Sequence, residues 1–216
     1  MDRKQYLVIG LGKFGQSICE TLYENGSEVM ALDADQELVN ECADKATHAV
    51  CADAMDRKVL EQLGISNFDV AVVTIGTDVK ASGIITMLLK EMGVNTVMAK
   101  AQDEVHGMML KKLGADKVLY PERDMGRRVA HNLRTTHIMD FIEVSPDFSL
   151  TEISPLDKWI GRDLGVLALR AKYGINIIAI KNGDDVNAAP SVDTVIREGD
   201  VMLVMCPDRT LRMFER

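Results

Sequence analysis

The sequence predicts an α/β fold: a Rossmann-like doubly wound parallel sheet followed by a small mixed α+β domain. Three observations support this prediction. Short strands that are apolar on both faces alternate with helices up to Pro121, and such strands indicate a parallel sheet covered by helices on both sides. A glycine-rich turn follows the first strand. After Pro121 the regular alternation stops and the elements become shorter.

The first part of the chain contains six short apolar runs, which predict strands at 6–9, 29–32, 49–51, 70–73, 96–99 and 117–120. The segments between them have apolar residues at helical spacing. They predict helices over 14–24, 35–45, 56–63, 79–92 and 103–113. Gly64, Gly93 and Gly114 follow three of these helices, as expected for helix C-termini that adopt the left-handed conformation.

The rest of the chain is predicted to form a smaller domain. We expect helices over 122–135 and 163–172, and strands at 138–144, 150–153, 175–180 and 201–205. This stretch of about 80 residues is too short for another Rossmann repeat. We therefore predict a first domain over 1–135 and a second domain over 136–216.

The composition excludes several functional classes. The chain has 216 residues with 25 Lys and Arg against 33 Asp and Glu, so its formal net charge is −8. This balance argues against a surface that neutralises nucleic-acid phosphates, and we expect no nucleic-acid partner. The four cysteines show no CxxC spacing, and no apolar run approaches the roughly 20 residues that span a bilayer. We therefore expect a cytoplasmic protein.

The turn after the first strand has the pattern of a dinucleotide-binding site. It consists of Gly10-Leu11-Gly12-Lys13-Phe14-Gly15. Gly10 permits the tight turn, Gly12 lets a phosphate approach the backbone, and Gly15 lets the helix pack closely on the sheet. Asp33 ends the second strand, where a carboxylate accepts hydrogen bonds from ribose hydroxyls and disfavours a 2′-phosphate. The first domain is therefore predicted to bind an adenine nucleotide.

The motif leaves the identity of that nucleotide open, because ATP, ADP and NAD share the adenosine half. Lys13 is the only basic residue in the turn. A flexible ammonium suits a terminal phosphate better than an uncharged nicotinamide ribose. The alternative is that Lys13 is simply a solvated residue at the start of a helix.

The sequence favours a binding protein over an enzyme. It contains no Tyr-x-x-x-Lys pair, its four histidines lie singly, and the second domain holds no obvious acid–base pair. An oxidoreductase needs such groups near the nicotinamide. An NAD-dependent oxidoreductase remains the alternative.

The whole chain resembles the RCK (regulator of K⁺ conductance) proteins, the cytosolic gating subunits of Ktr/Trk-type potassium uptake systems. The resemblance rests on YLVIGLGKFGQSI, ALDAD, ATHAVCADA, VVTIGTD, AKAQDEVHGMMLKKLGADKVLYPERDMG and LRAKYGINIIAIK. It implies a regulatory subunit with ATP or ADP in the Rossmann lobe, or NAD or NADH as in some Trk-type members. It also implies a membrane-embedded K⁺-translocating partner, with this chain peripheral to the inner face of the cell membrane. Family members assemble as dimers of dimers up to an octameric ring.

The resemblance also assigns residues by position. Gly10, Gly12 and Gly15 would hold phosphates, with Asp33 and Asp35 along the ribose, Asp53 and Ala54 at the adenine, Ile75, Gly76 and Lys100 on the far wall, and Glu122 at a divalent cation. Lys13 stands where family members commonly have an arginine, so the charge is kept but the bidentate fork is lost. For Glu122, a carboxylate that only stabilises a helix N-terminus is the alternative.

In the second domain the resemblance implies a cyclic di-AMP site between two copies. The candidate residues are Leu164, Arg170, Ile175, Asn176, Ile177 and Pro190. A cation beside an apolar cleft suits a ligand with two phosphates and two bases. The alternative is that these are ordinary core and turn residues.

One feature of the residues themselves indicates self-assembly. The helix predicted over 79–92 is apolar over a wider arc than packing on a sheet requires, and the chain has 13 methionines. Methionine-rich surfaces repack easily, as a moving interface must. The alternative is a buried crossover helix with methionine as filler.

Overall fold

A computed structural model of the chain describes residues 4–134, 138–145 and 147–214. Its internal contacts divide the chain into two compact units, Met1–Pro121 and Glu122–Arg216. The boundary expected from the sequence falls within 135–137, which lies outside the described residues. By its contacts, the helix that follows Pro121 belongs with the second unit.

The first unit alternates strands and helices as predicted. Its strands are β1 (Gln5–Ile9), β2 (Glu28–Asp33), β3 (His48–Cys51), β4 (Val70–Val73), β5 (Thr96–Lys100) and β6 (Lys117–Leu119). Its helices are α1 (Lys13–Glu24), α2 (Gln36–Glu41), α3 (Arg57–Gln62), α4 (Val79–Glu91) and α5 (Glu104–Lys112), with a 3₁₀ turn at Ile65–Asn67. Helix α2 ends at Glu41, four residues before the predicted end.

The described strands of the first unit form one parallel sheet in the order β3-β2-β1-β4-β5-β6. Parallel pairing of β1 with both β2 and β4 places the reversal of strand order between β1 and β4. This is the doubly wound Rossmann order, in which ligands bind outside the carboxyl ends of the strands at the reversal. The predicted fold class is confirmed.

The core of this unit lies on both faces of the sheet. Leu7, Ile9 and Val73 pack on one face with α4 and α5, whereas Val8 and Ala31 pack on the other with α1. Neighbouring residues of a strand point to opposite faces. This arrangement explains why β1 is a continuous apolar run.

The second unit contains helix α6 (Pro121–Arg134), apart from its first residue, and an antiparallel sheet. Its other elements are β7 (Ile138–Ser145), β8 (Phe148–Ile153), α7 (Leu164–Leu167), α8 (Leu169–Tyr173), β9 (Asn176–Asn182), β10 (Asp185–Asn187), β11 (Val201–Pro207) and α9 (Asp208–Leu211). The described strands pair in the order β10-β9-β11-β8-β7. Trp159, Ile175 and Phe214 lie in its core.

One predicted element of this unit is wrong in detail. The single helix expected over 163–172 is two short helices, α7 and α8, separated by Ala168. Ala168 has a φ of +47°, in the left-handed region that a side chain disfavours. A glycine usually indicates such a break. Because the sequence has an alanine here, its apolar spacing predicts one continuous helix. In the described part of the chain, no helix is both long and apolar enough to cross a membrane.

Candidate nucleotide site

The predicted nucleotide residues of the first unit converge on one edge of its sheet. They lie at or after the carboxyl ends of five strands: 10–15 after β1, Asp33 and Asp35 at β2, Asp53 and Ala54 after β3, Ile75 and Gly76 after β4, and Lys100 at β5. The reversal of strand order between β1 and β4 opens a crevice at this edge. The structure therefore places the candidate residues where a doubly wound sheet binds its ligand.

The glycines of the turn have different structural roles. Gly10 has a φ of +96°, a conformation that glycine adopts at little cost. A Cβ on Gly15 would lie 2.0 Å from the carbonyl oxygen of Gly10, so α1 can approach the turn only with glycine there. A Cβ on Gly12 would meet nothing within 4 Å. Gly12 therefore borders open space.

Thr74, which lies outside the glycine motif, joins this turn to the end of β4. Its hydroxyl donates a hydrogen bond to the carbonyl oxygen of Gly10 at 2.5 Å, and its backbone N–H donates to the carbonyl of Ile9 at 2.8 Å. Thr74 is 8% exposed. In the sequence, only its position as a hydroxyl residue after an apolar strand could have indicated this role of Thr74, and that indication is weak.

The N-terminus of α1 differs from those of α2–α5, the other helices in the described part of the first unit. An aspartate side chain accepts a backbone N–H at the start of each of those four helices: Asp35, Asp56, Asp78 and Asp103. The residue that precedes α1 at its N-cap position is Gly12, which has no side chain to cap the helix, and the first turn of α1 contains no acidic residue. Free N–H groups and the helix dipole favour an anion at such an end.

Asp33 connects the second strand to the glycine turn. Its Oδ2 accepts the backbone N–H of Leu11 at 2.6 Å, and its Oδ1 accepts that of Asp35 at 2.9 Å. A carboxylate has about four acceptor positions, so both oxygens can still accept ribose hydroxyls. The side chain of Leu11 is fully buried, and Leu11 contributes to the site through its backbone.

Two lysines bring positive charge to the turn. The Lys13 Nζ lies 3.8 Å from a carboxylate oxygen of Glu41, and the Lys13 side chain is 92% exposed. The Lys100 Nζ lies 5.8 Å from the centre of the Phe14 ring, within the range of a cation–π interaction. The stem of Lys100 passes close to Gly76, where a Cβ would be 3.1 Å from the Lys100 Cε.

The remaining candidates follow the carboxyl ends of β3 and β4. The Asp53 side chain accepts the backbone N–H of Met55 at 2.8 Å, and Ala54 is packed in the core. Ile75 packs against the glycine turn, since a Cβ on Gly10 would lie 2.9 Å from the Ile75 Cγ1. These residues place apolar and polar groups at the same edge of the sheet, a combination found in most small-molecule sites.

Comparison with known proteins identifies the family. The TrkA-N domain model matches residues 6–121, and the TrkA-C domain model matches residues 150–216. Ktr system potassium uptake protein C of Bacillus subtilis (strain 168) is 45% identical over 214 residues, which cover 99% of this chain and 97% of that protein. The chain belongs to the Ktr family of potassium uptake proteins.

A second relative and two solved structures are also similar to this chain. Ktr system potassium uptake protein A of Bacillus subtilis (strain 168) is 40% identical over 100% of this chain and 97% of that protein. The crystal structure of the GsuK RCK domain has the same fold, with a TM-score of 0.69 and 17% identity over 99% of this chain. This chain corresponds to 47% of the GsuK chain in that structure. A structure of the GsuK channel bound to NAD matches with the same TM-score and covers 99% of this chain and 39% of that one.

In this Ktr family member, the candidates for the second ligand site differ in accessibility. Arg170 is exposed on α8, and Asn176 and Ile177 are half-buried at the start of β9. Leu164 and Pro190 are also half-buried. Ile175 is 1% exposed and lies in the core of the second unit, so a surface ligand can meet its backbone but not its side chain.

Glu122 lies in the first turn of α6. Within the described residues, no group of three or more His, Cys, Asp or Glu side chains is arranged to hold a metal ion. A cation at Glu122 would therefore need ligands from a bound phosphate group or from outside the described residues. Its assignment as a divalent-cation ligand stays a prediction.

Proposed function

We propose that this chain is the nucleotide-switched regulatory subunit of a potassium uptake system, not an enzyme. The observation that supports it best is the open N-terminus of α1 at the glycine turn, which lacks the aspartate cap found on α2–α5. A phosphate group supplies the missing anion. The relatives that match almost the full length of the chain are potassium uptake proteins, which supports a transport role.

ATP or ADP is the proposed nucleotide. Asp33 and Asp35 would bind the ribose, Asp53 and Ala54 the adenine, and the turn at 10–15 the phosphates. Lys13 and Lys100 would add positive charge where phosphates beyond the first extend from the helix end. Since AMP has no such phosphate, the number of phosphates is the property that these lysines distinguish.

Switching requires that the nucleotide binds two shapes of the protein with different affinity. A tenfold difference in affinity changes the ratio of two shapes tenfold. The terminal phosphate is the part of the ligand that differs between ATP and ADP. We therefore propose that its contact with Lys13 is a source of this difference.

Calorimetry with ATP, ADP, AMP, NAD and NADH tests this proposal. We expect ATP and ADP to bind more tightly than AMP and at least as tightly as NAD. NAD is included because the structural neighbour GsuK was solved with it. Binding of NAD or NADH without measurable binding of ATP or ADP would contradict the proposal. Turnover of a 2-hydroxy acid with NAD would contradict the non-enzymatic role.

Self-assembly is proposed to use a groove between α4 and α5. The groove has a volume of about 440 Å³ and is lined by Val79, Lys80, Gly83, Ile84, Met87, Met109 and Leu113. Val79 and Met87 on α4 are exposed large apolar residues, and burying them provides the main stabilisation of an interface. A second copy of this chain is the proposed occupant, in dimers that build up to an octameric ring.

Light scattering on Met87→Glu tests this interface. A charge in the groove should reduce the assembly, because burying it unpaired is costly. The matched control is Tyr23→Glu, which places the same charge at an exposed aromatic residue near the end of α1. Equal assembly of both variants and the unchanged protein would contradict the proposed interface.

A membrane-embedded K⁺-translocating subunit is the proposed partner, with this chain at the cytoplasmic face of the membrane. The names of the relatives support this partner. Copurification with the membrane protein, with and without ATP, tests the pairing. Failure to bind it under both conditions would contradict the role as a subunit.

Cyclic di-AMP is proposed as a ligand of the second unit, at Leu164, Arg170, Ile175, Asn176, Ile177 and Pro190. Arg170 is exposed on α8 and can pair with a phosphate group. Arg170→Ala should weaken binding of cyclic di-AMP about tenfold or more. Lys172→Ala, which removes an exposed cation on the same helix, is the control. Equal binding by both variants would contradict the site.

For Glu122, the test is the effect of Mg²⁺ on ATP affinity. The proposed cation ligand predicts that Mg²⁺ strengthens binding less in Glu122→Gln than in the unchanged protein. Asp124→Asn removes a carboxylate from the same helical turn and serves as the control. The same Mg²⁺ effect in both variants would indicate that Glu122 only stabilises the start of α6.

A further inference from the structure

Three contacts fix the end of α2 against α1. Lys45 Nζ lies 3.4 Å from a carboxylate oxygen of Glu20. Cys19 and Cys42 are fully buried, and burial together with the neighbouring Cys42 thiol raises the pKa of Cys19 to about 12. The third contact involves Glu41, the last residue of α2. These contacts hold the backbone of Glu41 in a defined position next to α1.

The Glu41 carboxylate is held by a buried amide. Gln16 is 7% exposed, and its Nε2 donates a hydrogen bond to the Oε2 of Glu41 at 2.9 Å. A buried polar side chain that spends its donor on one acceptor keeps that acceptor in place. Glu41 therefore presents a negative charge beside α1, on a side chain that is 54% exposed.

The same oxygen faces the first residue of α1. Lys13 Nζ lies 3.8 Å from the Glu41 Oε2. Lys13 and Gln16 are three residues apart and thus share one face of the helix. Because the Lys13 side chain is 92% exposed, its ammonium can leave Glu41 for another anion without unpacking anything.

We propose that Glu41 is a specificity-determining residue of the nucleotide site. It competes with the terminal phosphate of a bound nucleotide for the Lys13 ammonium. This inference rests on the proposed function, since it requires a phosphate group at the start of α1. A nucleotide with several phosphates must take Lys13 from Glu41, whereas AMP, whose phosphate meets the helix end, does not need it.

The strength of the ion pair between Lys13 and Glu41 limits how much a substitution of Glu41 can change nucleotide affinity. An exposed ion pair changes an equilibrium constant by about fivefold at most. Removing the charge of Glu41 should therefore raise the affinity for ATP about three- to fivefold and that for AMP less than twofold. Salt screens exposed charges, so the difference should shrink at high ionic strength.

The experiment is calorimetry of ATP and AMP with Glu41→Gln, Lys13→Gln and the double variant. Glutamine at 41 retains a side-chain oxygen that can accept the Gln16 amide, so the contact with α1 is preserved. Glu20→Gln is the matched control, because it removes the same charge from the same helix contact without facing Lys13. The expected result is a gain for ATP in Glu41→Gln that disappears when Lys13 is also replaced.

Three outcomes overturn the proposal. The first is an equal change in the affinities for ATP and AMP. The second is a gain in ATP affinity that persists in the double variant, and the third is the same gain in ATP affinity in Glu20→Gln. If the unchanged protein binds neither ATP nor ADP, the proposed function fails first. If it binds both and Glu41→Gln leaves the ratio of ATP to AMP affinity unaltered, only the inference about Glu41 fails.

Discussion

Among the single residues of the glycine turn, Gly15 leaves no space for a side chain, whereas Gly12 is surrounded by open space. Gly15 has the carbonyl of Gly10 where its Cβ would be. Gly12 has an ordinary φ of −64°, and a Cβ placed there would meet nothing within 4 Å. The first position serves the packing of α1 on the sheet, and the second keeps space for a ligand.

Gly15→Ala should therefore destabilise the first unit. The added methyl would lie 2.0 Å from the Gly10 carbonyl and 2.8 Å from the Thr74 hydroxyl, so the backbone must move. We expect the free energy of unfolding to fall by about 3 kcal/mol, as for severe overpacking. Urea unfolding measures this change.

Gly12→Ser is the control for that measurement. Serine fits the backbone conformation at Gly12 and can cap α1, so the free energy of unfolding should change by only a few tenths of a kcal/mol. Equal stability of the two variants would show that Gly15 has more space than the structure indicates.

Some of these residues can be predicted from the sequence alone, and others cannot. Gly10, Gly15 and Asp33 were predicted because each has a fixed place in one short pattern. Thr74 and Glu41 were not predicted. Their contacts with Gly10 and Gln16 join elements far apart in the chain, and such contacts follow from the packing of helices on the sheet rather than from local spacing.

At the scale of elements, α4 and α5 are joined by a buried histidine. His106 is 3% exposed, and its Nε2 lies 2.7 Å from the Ser82 hydroxyl. Its Nδ1 accepts the backbone N–H of Gln102 at 3.3 Å. The Ser82 hydroxyl donates to the Val79 carbonyl at 3.2 Å. This chain of donors and acceptors requires the neutral imidazole with its proton on Nε2.

The stability of this unit should therefore depend on pH. Burial lowers the pKa of His106, and the nearby Asp103 carboxylate only partly opposes this. The unfolded chain then binds more protons than the folded one below the ordinary histidine pKa of about 6.5. We expect the free energy of unfolding to decrease as pH falls from about 6.5. Urea unfolding at pH 7.5 and 5.5 measures the loss.

His106→Gln should lose less stability over this interval than the unchanged protein does. The control is His48→Gln at an exposed residue of β3. The prediction fails if His106→Gln has the same pH dependence as the unchanged protein.

The break between α7 and α8 gives a second test at this scale. Ala168 adopts the left-handed conformation, which is costly with a side chain. Ala168→Gly should raise the stability of the second unit by roughly 0.5–1 kcal/mol, since the relief exceeds the added entropy of the unfolded chain. Ala171→Gly, inside α8, should lower it by a similar amount. Thermal unfolding of both variants measures the two signs, and a loss in Ala168→Gly would contradict the strain.

The elements of the first unit were more predictable than those of the second. Strands such as β1 and β4 are buried on both faces, so each is a continuous apolar run that clearly predicts a strand. In the second unit the sheet is antiparallel, and successive residues of β8 alternate between a buried face and a face that is exposed or partly exposed. The short β10 is exposed throughout, and no apolar pattern marks it.

At the scale of the whole molecule, two units with separate cores match two domain models of one family. The first unit provides a crevice at the reversal of strand order, and the second provides an antiparallel sheet. Neither unit alone accounts for a regulator. The proposed regulatory function requires that a nucleotide in the first unit changes how copies of the chain assemble.

Calorimetry of ATP with the Gly12→Asp variant shows whether a phosphate group binds at the start of α1. Aspartate suits the extended conformation at Gly12 and would cap α1 with its own carboxylate, as aspartates do at α2–α5. The variant should remain as stable as the unchanged protein within a few tenths of a kcal/mol. It should also bind ATP about 100-fold or more weakly, because the carboxylate takes the N–H groups proposed for phosphate. Unchanged ATP affinity in a folded Gly12→Asp variant would contradict a phosphate site at the start of α1.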